Sequence, residues 1–284
     1  MADKNPEFAY ALGYTAEEHR RLMRQSELVA PCTERLFRAA GIGPGSRVLD
    51  VGSGIGDVSL LLCSLVGPTG EVVGVERDAG SIARARARTE AAGFDNVSFL
   101  ESDVTDVRAA GSFDAVVGRF ILMYLPDPAR TLRSLARLLR PHGAVAFLEP
   151  SWAAVRGLAA HLPLYTAFTA AIIASFRACG VDPEIGTGML RAFVNAGLPK
   201  PSMSIDIVLG SDAEFTQALC DILQSLEPRA RQKGVSFEAL GDLRTFGARL
   251  HAEIQSSGDA ISWLGGNVGA WCRLPGDVAT ALAS

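Results

Sequence analysis

Between Arg47 and Pro150, short apolar segments alternate with amphipathic helical patterns, and no other feature constrains the fold as tightly. The strand-like segments are Arg47 to Val51, Glu71 to Val75, Val97 to Leu100, Phe113 to Val117 and Ala144 to Leu148. Helices are predicted over 57–66, 80–92 and 128–140, the last with Leu132, Leu135, Ala136 and Leu139 on one face. Strands that are apolar almost throughout are buried on both faces, and strands separated by helices pair in parallel. The predicted fold class is therefore α/β, a doubly wound, Rossmann-like, mostly parallel sheet.

Three regions are expected. Residues 1–45 read as cover helices: a helical pattern runs over 7–40, with Thr15 as a candidate N-cap and apolar positions at Leu22, Leu28, Val29, Leu36 and Phe37. The turn-rich segment Gly41-Ile42-Gly43-Pro44-Gly45-Ser46 ends it. Residues 46–150 form the core. Residues 151–284 read as a helical cap with the last two sheet strands: helices over 158–179, 188–195 and within 212–257, and strands over 203–209 and 267–273.

Composition narrows the function classes. The chain has 284 residues, 48% of them apolar, which is enough for a sizeable core. A net charge of −4 and a pI near 5.6 provide no global positive field for a phosphate backbone, so a nucleic-acid partner is not expected. Five cysteines, odd in number and without a CxxC pair, predict neither a disulfide framework nor a zinc site, and a reducing, cytoplasmic setting fits them. The first residues show no basic region followed by an apolar core. The uncharged stretch between Arg156 and Arg177 approaches the length of a membrane span. His161 and Pro163 interrupt it, so a buried helix is expected and a membrane span is not.

The densest chemical signal is Val48-Leu49-Asp50-Val51-Gly52-Ser53-Gly54-Ile55-Gly56-Asp57, a strand entering a glycine loop that opens a helix. Glycines permit sharp turns, and without a Cβ they let a ligand lie against amides at a helix N-terminus. The dinucleotide fingerprint GxGxxG would place its third glycine where Asp57 stands, so the nicotinamide reading loses ground. Glu76 ends the second strand, 20 positions after Gly56, where a carboxylate can accept both ribose hydroxyls. Asp103 follows the third strand and is placed to accept from an adenine amino group beside the Val104 amide. Alone, each acid fits a helix cap equally well. Together they stand at the carboxyl ends of successive strands, the edge where open α/β sheets bind ligands.

These motifs resemble those of class I S-adenosylmethionine-dependent methyltransferases. Val48 to Gly56 is similar to the family's first motif, Val75-Glu76-Arg77 to its ribose-binding strand end, and Ser102-Asp103-Val104 to its adenine-contact segment. Phe113 to Arg119 with Leu122 to Pro128 resembles the fourth-strand motif of the ubiquinone and menaquinone C-methyltransferases. Leu138-Leu139-Arg140-Pro141-His142-Gly143 is similar to their "LRPGG" turn, with His142 in place of a glycine. The resemblance implies S-adenosyl-L-methionine as cofactor. Asp50 with the Gly52, Ser53 and Gly54 backbone would hold its methionine part, Glu76 with Arg77 the ribose, and Asp103 with Val104 the adenine. Arg119 would lie near the methionine end, and Tyr14 and Gln25 of the N-terminal helices would contact the cofactor. It also implies methyl transfer to a small, partly apolar acceptor, with Trp152, Leu158, Leu162, Tyr165, Phe168, Ile172 and Phe176 as its lining.

A sulfonium methyl needs little help beyond an acceptor held in line and exclusion of water, so a general base is optional. Glu149, at the end of the fifth strand, and His161 are the candidates; His142, on the opposite edge, is expected to be structural. Arg130, Arg133, Arg137 and Arg140 read as a solvated helix stripe. Two rival readings stay open: an S-adenosylmethionine-binding protein that catalyses a non-methylating reaction, and an NAD-dependent oxidoreductase. The acceptor atom and the oligomeric state are not fixed by the sequence.

Overall fold

The computed structural model describes residues 16–107, 112–263 and 265–276. In chain order the elements are α1 (Ala16–Ala39), β1 (Arg47–Val51), α2 (Asp57–Val66), β2 (Glu71–Glu76), α3 (Ala79–Ala91), β3 (Val97–Glu101), β4 (Phe113–Arg119), α4 (Pro128–Ala136), β5 (Leu139–Ser151) and α5 (Pro163–Ala178). They continue with α6 (Ile185–Asn195), β6 (Ser202–Asp206), β7 (Leu209–Gly210), α7 (Ala213–Gln232), α8 (Leu243–Ser257), β8 (Ile261–Ser262) and β9 (Gly266–Arg273). The chain divides into two compact units, taken over their described residues. One, the sheet unit, is Val29–Glu149, Thr187–Ser204 and Val268–Ser284; the other, the helical unit, is Met1–Leu28, Pro150–Gly186 and Ile205–Asn267.

The sheet has seven strands in the order β3-β2-β1-β4-β5-β9-β6. β1 lies between β2 and β4, parallel to both, with Asp50 opposite Gly74 on one side and Val117 on the other. β3 and β5 extend the parallel set, Glu76 facing Glu101 and Arg119 facing Leu148. The carboxyl ends of five strands therefore share one edge, and the expected doubly wound α/β fold is present. Val48, Leu49, Val51, Val116, Val117 and Val145 are all buried to within 1% of full exclusion from solvent. Each such side chain contributes roughly 1.5–3 kcal/mol by leaving water.

Several element boundaries differ from expectation. α4 ends at Ala136, and β5 begins at Leu139, so Arg140 stands in a strand and pairs with Asp114. Arg133 is exposed, as a stripe residue should be, and its guanidinium also donates to the carbonyls of Asn195 (2.7 Å) and Ala196 (3.0 Å) at the end of α6. A cation there satisfies terminal carbonyls and opposes the helix dipole. The strand expected over 203–209 is split: β6 ends the large sheet, while β7 pairs antiparallel with the two-residue β8. The helical pattern of 7–40 is observed as α1 from Ala16, and the Thr15 cap lies outside the described residues.

In the helical unit, α5, α7 and α8 pack together, with the Phe168 ring 6.3 Å from Tyr165 and 5.7 Å from Phe246. α5 has no side-chain cap of its own. Glu253 of α8 instead accepts from the Leu164 and Tyr165 amides at 2.8 and 2.9 Å, placing a negative charge at the positive end of α5. The Tyr165 hydroxyl reaches Ser262 of β8, and Arg24 of α1 pairs with Asp221 of α7. Among the described residues, no helix is long and apolar enough to cross a membrane.

Candidate cofactor site

The glycine loop after β1 turns through left-handed conformations: φ is 71° at Gly52, 53° at Gly54 and 85° at Gly56, which caps α2. Two of these glycines serve different ends. A Cβ on Gly52 would come within 2.7 Å of the Ile121 side chain, so that notch is filled by the protein itself. A Cβ on Gly54 would meet nothing within 4 Å, so the backbone there faces open space. Positive φ restricts both positions to glycine, but only Gly54 offers its bare backbone to a ligand.

Strand β2 supports this loop. The Val75 carbonyl accepts from the Gly52 and Ser53 amides, both at 2.9 Å. One Glu76 carboxylate oxygen accepts from the Gly54 amide at 3.1 Å, the other from the Arg77 and Asp78 amides at 2.9 Å each. Burial pushes the Glu76 carboxyl up, and the three N–H donors pull it back. Ser53 Oγ is buried with no hydrogen-bond partner, facing the Cα of Gly74. An unpaired buried hydroxyl costs free energy unless something accepts from or donates to it.

Asp50 is 1% exposed and accepts from Ser59 Oγ at 2.6 Å. Burial pushes its carboxyl up to about 7, against the pull of Ser59 and Arg119. Arg119, on the tip of β4, is also held in a dry setting that lowers its pKa, opposed by Asp57 and Asp50. Its Nη1 lies 3.3 Å from Thr33 Oγ1, which itself donates to the Val29 carbonyl in α1. Asp57 pairs with Arg88 of α3 at 2.7 Å.

On the third strand, Asp103 caps the short turn Val104–Asp106, accepting from Thr105 N at 2.8 Å and Thr105 Oγ1 at 2.6 Å. Asp50, Glu76, Asp103, Arg119 and the loop amides thus stand along one edge of one unit. Gln25 accepts from Arg21 at 2.6 Å within the helical unit, and Tyr14 lies outside the described residues. His161 is exposed and 2.7 Å from Asp259, also in the helical unit.

Glu149, the candidate for substrate contact on the fifth strand, lies near the end of β5. The residue is fully buried, and its carboxylate accepts from the amides of Ile121 (2.9 Å), Leu122 (2.8 Å) and Met123 (3.3 Å). Of the apolar residues expected as an acceptor lining, Leu162, Phe168, Ile172 and Phe176 are buried and Leu158 is 47% exposed. Trp152 and Tyr165 do line a half-open cavity of about 340 Å³ in the helical unit, with Val155, Ile173, Arg156 and Arg177. Sequence reasoning missed Ser59, Thr33 and Ile121. None belongs to a motif; each is recognisable only from the partner the fold brings to it. Among the described residues no three His, Cys, Asp or Glu side chains gather as a metal site, and all five cysteines are free thiols.

The residues fit an adenosyl sulfonium. The open backbone at Gly54 leaves room for a ligand, and the orphan Ser53 hydroxyl with the carboxylates of Asp50, Glu76 and Asp103 offers acceptors for hydroxyl and amino groups around a cation. A family profile described as "Methyltransferase domain" matches residues 42–179. An arsenite methyltransferase from Aquipseudomonas alcaligenes is 40% identical over 113 residues, covering 37% of this chain and 33% of its own. A demethylmenaquinone methyltransferase from Staphylococcus aureus is 34% identical over 119 residues, 42% of this chain and 48% of its own. The chain thus spans between a third and about half the length of these curated relatives. Among solved structures, the YcgJ protein of Bacillus subtilis aligns over 86% of this chain and 97% of its own, with a TM-score of 0.54 and 15% identity. The [4+2]-cyclase SpnF aligns over 86% of this chain and 81% of its own, with a TM-score of 0.51 and 18% identity. At that identity the two share the fold. Residues 42–179 thus carry a methyltransferase domain, and the motifs on its sheet edge are similar to those of S-adenosylmethionine-dependent methyltransferases.

Proposed function

We propose that this chain moves a methyl group from S-adenosylmethionine to a small, partly apolar acceptor by in-line displacement, with positioning as the main source of acceleration. The observation that carries this reading is the open backbone at Gly54, flanked by the buried Asp50 carboxylate and the half-buried Glu76 carboxylate. The cofactor supplies an electrophilic methyl when bound. The chain supplies the grip: Asp50 and the loop amides at the methionine part, Glu76 beside Arg77 at the ribose hydroxyls, Asp103 and the Val104 amide at the adenine. Arg119, half-buried and held by Thr33, adds a positive charge near the methionine end.

A partly apolar acceptor suits the cavity of the helical unit, which offers the Trp152 and Tyr165 rings, Val155 and Ile173, with Arg156 and Arg177 also in its lining. A net charge of −4 favours a metabolite over a nucleic acid, and five free thiols suit a reducing cytoplasm. With the Glu149 carboxylate committed to amides, proton removal is left to solvent or to the acceptor itself, which suits an amine, thiol or activated carbon.

Incubation with methyl-labelled S-adenosylmethionine and a metabolite extract tests the reading. Label in a small organic product supports it. Tight S-adenosylhomocysteine binding with no transfer to any fraction favours the second reading, a bound S-adenosyl group serving a non-methylating reaction. A cyclase with the same fold shows that fold alone does not fix the chemistry. Binding of NAD with no binding of S-adenosylhomocysteine would overturn both.

A further inference from the structure

We propose that Glu149 is a positioning residue that shapes the cofactor cradle through the segment following β4; the inference rests on reading the strand tips as the S-adenosylmethionine site. Three consecutive amides, of Ile121, Leu122 and Met123, open the short turn Leu122–Tyr124, which has no side-chain cap of its own. Such N-terminal donors need acceptors, and the fully buried Glu149 carboxylate provides them from the tip of β5. The Phe120 amide is tied to β5 as well, by its 2.9 Å bond to the Leu148 carbonyl.

Fixing the Ile121 backbone fixes its side chain, which fills two glycine notches on neighbouring strands. A Cβ on Gly52 would fall 2.7 Å from Ile121 Cδ1, and one on Gly118 would fall 2.7 Å from Ile121 Cγ2. Gly118 is paired in register with Val51, the residue before Gly52. Ile121 is thus a wedge between the β1 loop and β4, next but one to Arg119, while Phe120 between them is held at φ 54°. Strained, over-determined backbone of this kind concentrates at functional sites. Without Glu149 the three amides lose their acceptor, the wedge shifts, and both Arg119 and the Gly52–Gly54 turn lose their register.

The test is calorimetric binding of S-adenosylhomocysteine alongside thermal unfolding. Glu149→Gln keeps one acceptor oxygen for Ile121 and Leu122 and loses only the bond to Met123, so it should weaken binding about threefold; Glu149→Leu, which loses all three, should weaken it more than tenfold. Phe113→Leu, a core change at the opposite edge of the sheet, serves as a stability-matched control and should leave affinity within about twofold. Combining Glu149→Leu with Ile121→Ala should cost less than the sum of the single changes, since both act through one wedge. Glu149 variants that bind as tightly as the Phe113→Leu control, or effects that simply add, would overturn the assignment. Absence of binding by the unaltered protein would instead defeat the proposed function.

Discussion

Two non-glycine residues of the sheet unit adopt left-handed backbone, Phe120 at φ 54° and His142 at φ 63°, and they stand at opposite edges of the same sheet. His142 is exposed in the turn before Ala144, and its carbonyl accepts from Arg273 at 3.1 Å. Phe120 follows Arg119 at the cofactor edge, with the buried Glu149 carboxylate gripping the next three amides. Equal torsional cost thus has unequal surroundings. On the far edge a glycine would serve better, as the "LRPGG" pattern suggests, and the histidine carbonyl is held by an exposed contact with Arg273. On the near edge the strain is locked in by buried charge. Strain marks function where the surroundings enforce it, and is only tolerated where they do not.

The buried acids of the near edge offer the largest effect by which to break this contrast. Asp50 titrates near 7 in the folded protein against an ordinary 3.8, so the folded state holds an extra proton between those values. Its favourable contribution is present below about pH 4 and is lost as pH rises to about 7, a change of at most about 4 kcal/mol. Thermal unfolding between pH 5 and 8 should therefore show falling stability that Asp50→Asn flattens. Over the same range S-adenosylhomocysteine should bind more tightly as Asp50 ionises. Stability and affinity that rise together would contradict the assignment.

Next in size is Asp50→Ala, expected to weaken S-adenosylhomocysteine binding roughly 100-fold, the loss of about 3 kcal/mol from a buried charged contact. Glu76→Ala should weaken it roughly 30-fold, about 2 kcal/mol, because some affinity survives in the loop amides. Isothermal calorimetry measures both, and unchanged affinity in either variant removes that acid from the site. The smallest effect sharpens the comparison itself. His142→Gly should raise stability by about 1 kcal/mol through relief of the left-handed strain and leave cofactor affinity unaltered. Phe120→Gly relieves the same torsion yet should reduce affinity severalfold, because it loosens the segment that carries Arg119 and Ile121. Identical behaviour of the two glycine variants would erase the distinction between the edges.

Much of the sheet unit is legible in the sequence because a parallel sheet leaves a direct imprint: strands buried on both faces, such as Ala115 to Val117 and Ala144 to Leu148, are apolar without interruption. The glycine loop and Glu76 are readable for a similar reason, since a turn with positive φ restricts the residue types it accepts. What escapes is whatever depends on a partner distant in sequence. The role of Glu149 emerges only when β5 lies beside β4. Arg133 reads as a solvated stripe residue, and its bonds to α6 appear only when that helix brings its terminal carbonyls to it. The two-residue strand β8 is too short to leave any pattern, and the 203–209 segment reads as one strand although its ends join different sheets. Ser59 shows the same limit within the site, as its hydroxyl has meaning only once helix α2 sets it against Asp50.

A crystal structure of the protein with S-adenosylhomocysteine tests the central claim most directly. The account predicts the ligand lying over Gly54, its ribose hydroxyls on Glu76, its adenine beside Asp103 and its amino acid end toward Asp50 and Arg119. Electron density for the ligand elsewhere, with Gly54 still facing solvent and the Glu76 carboxylate bonded only to backbone amides, would contradict it.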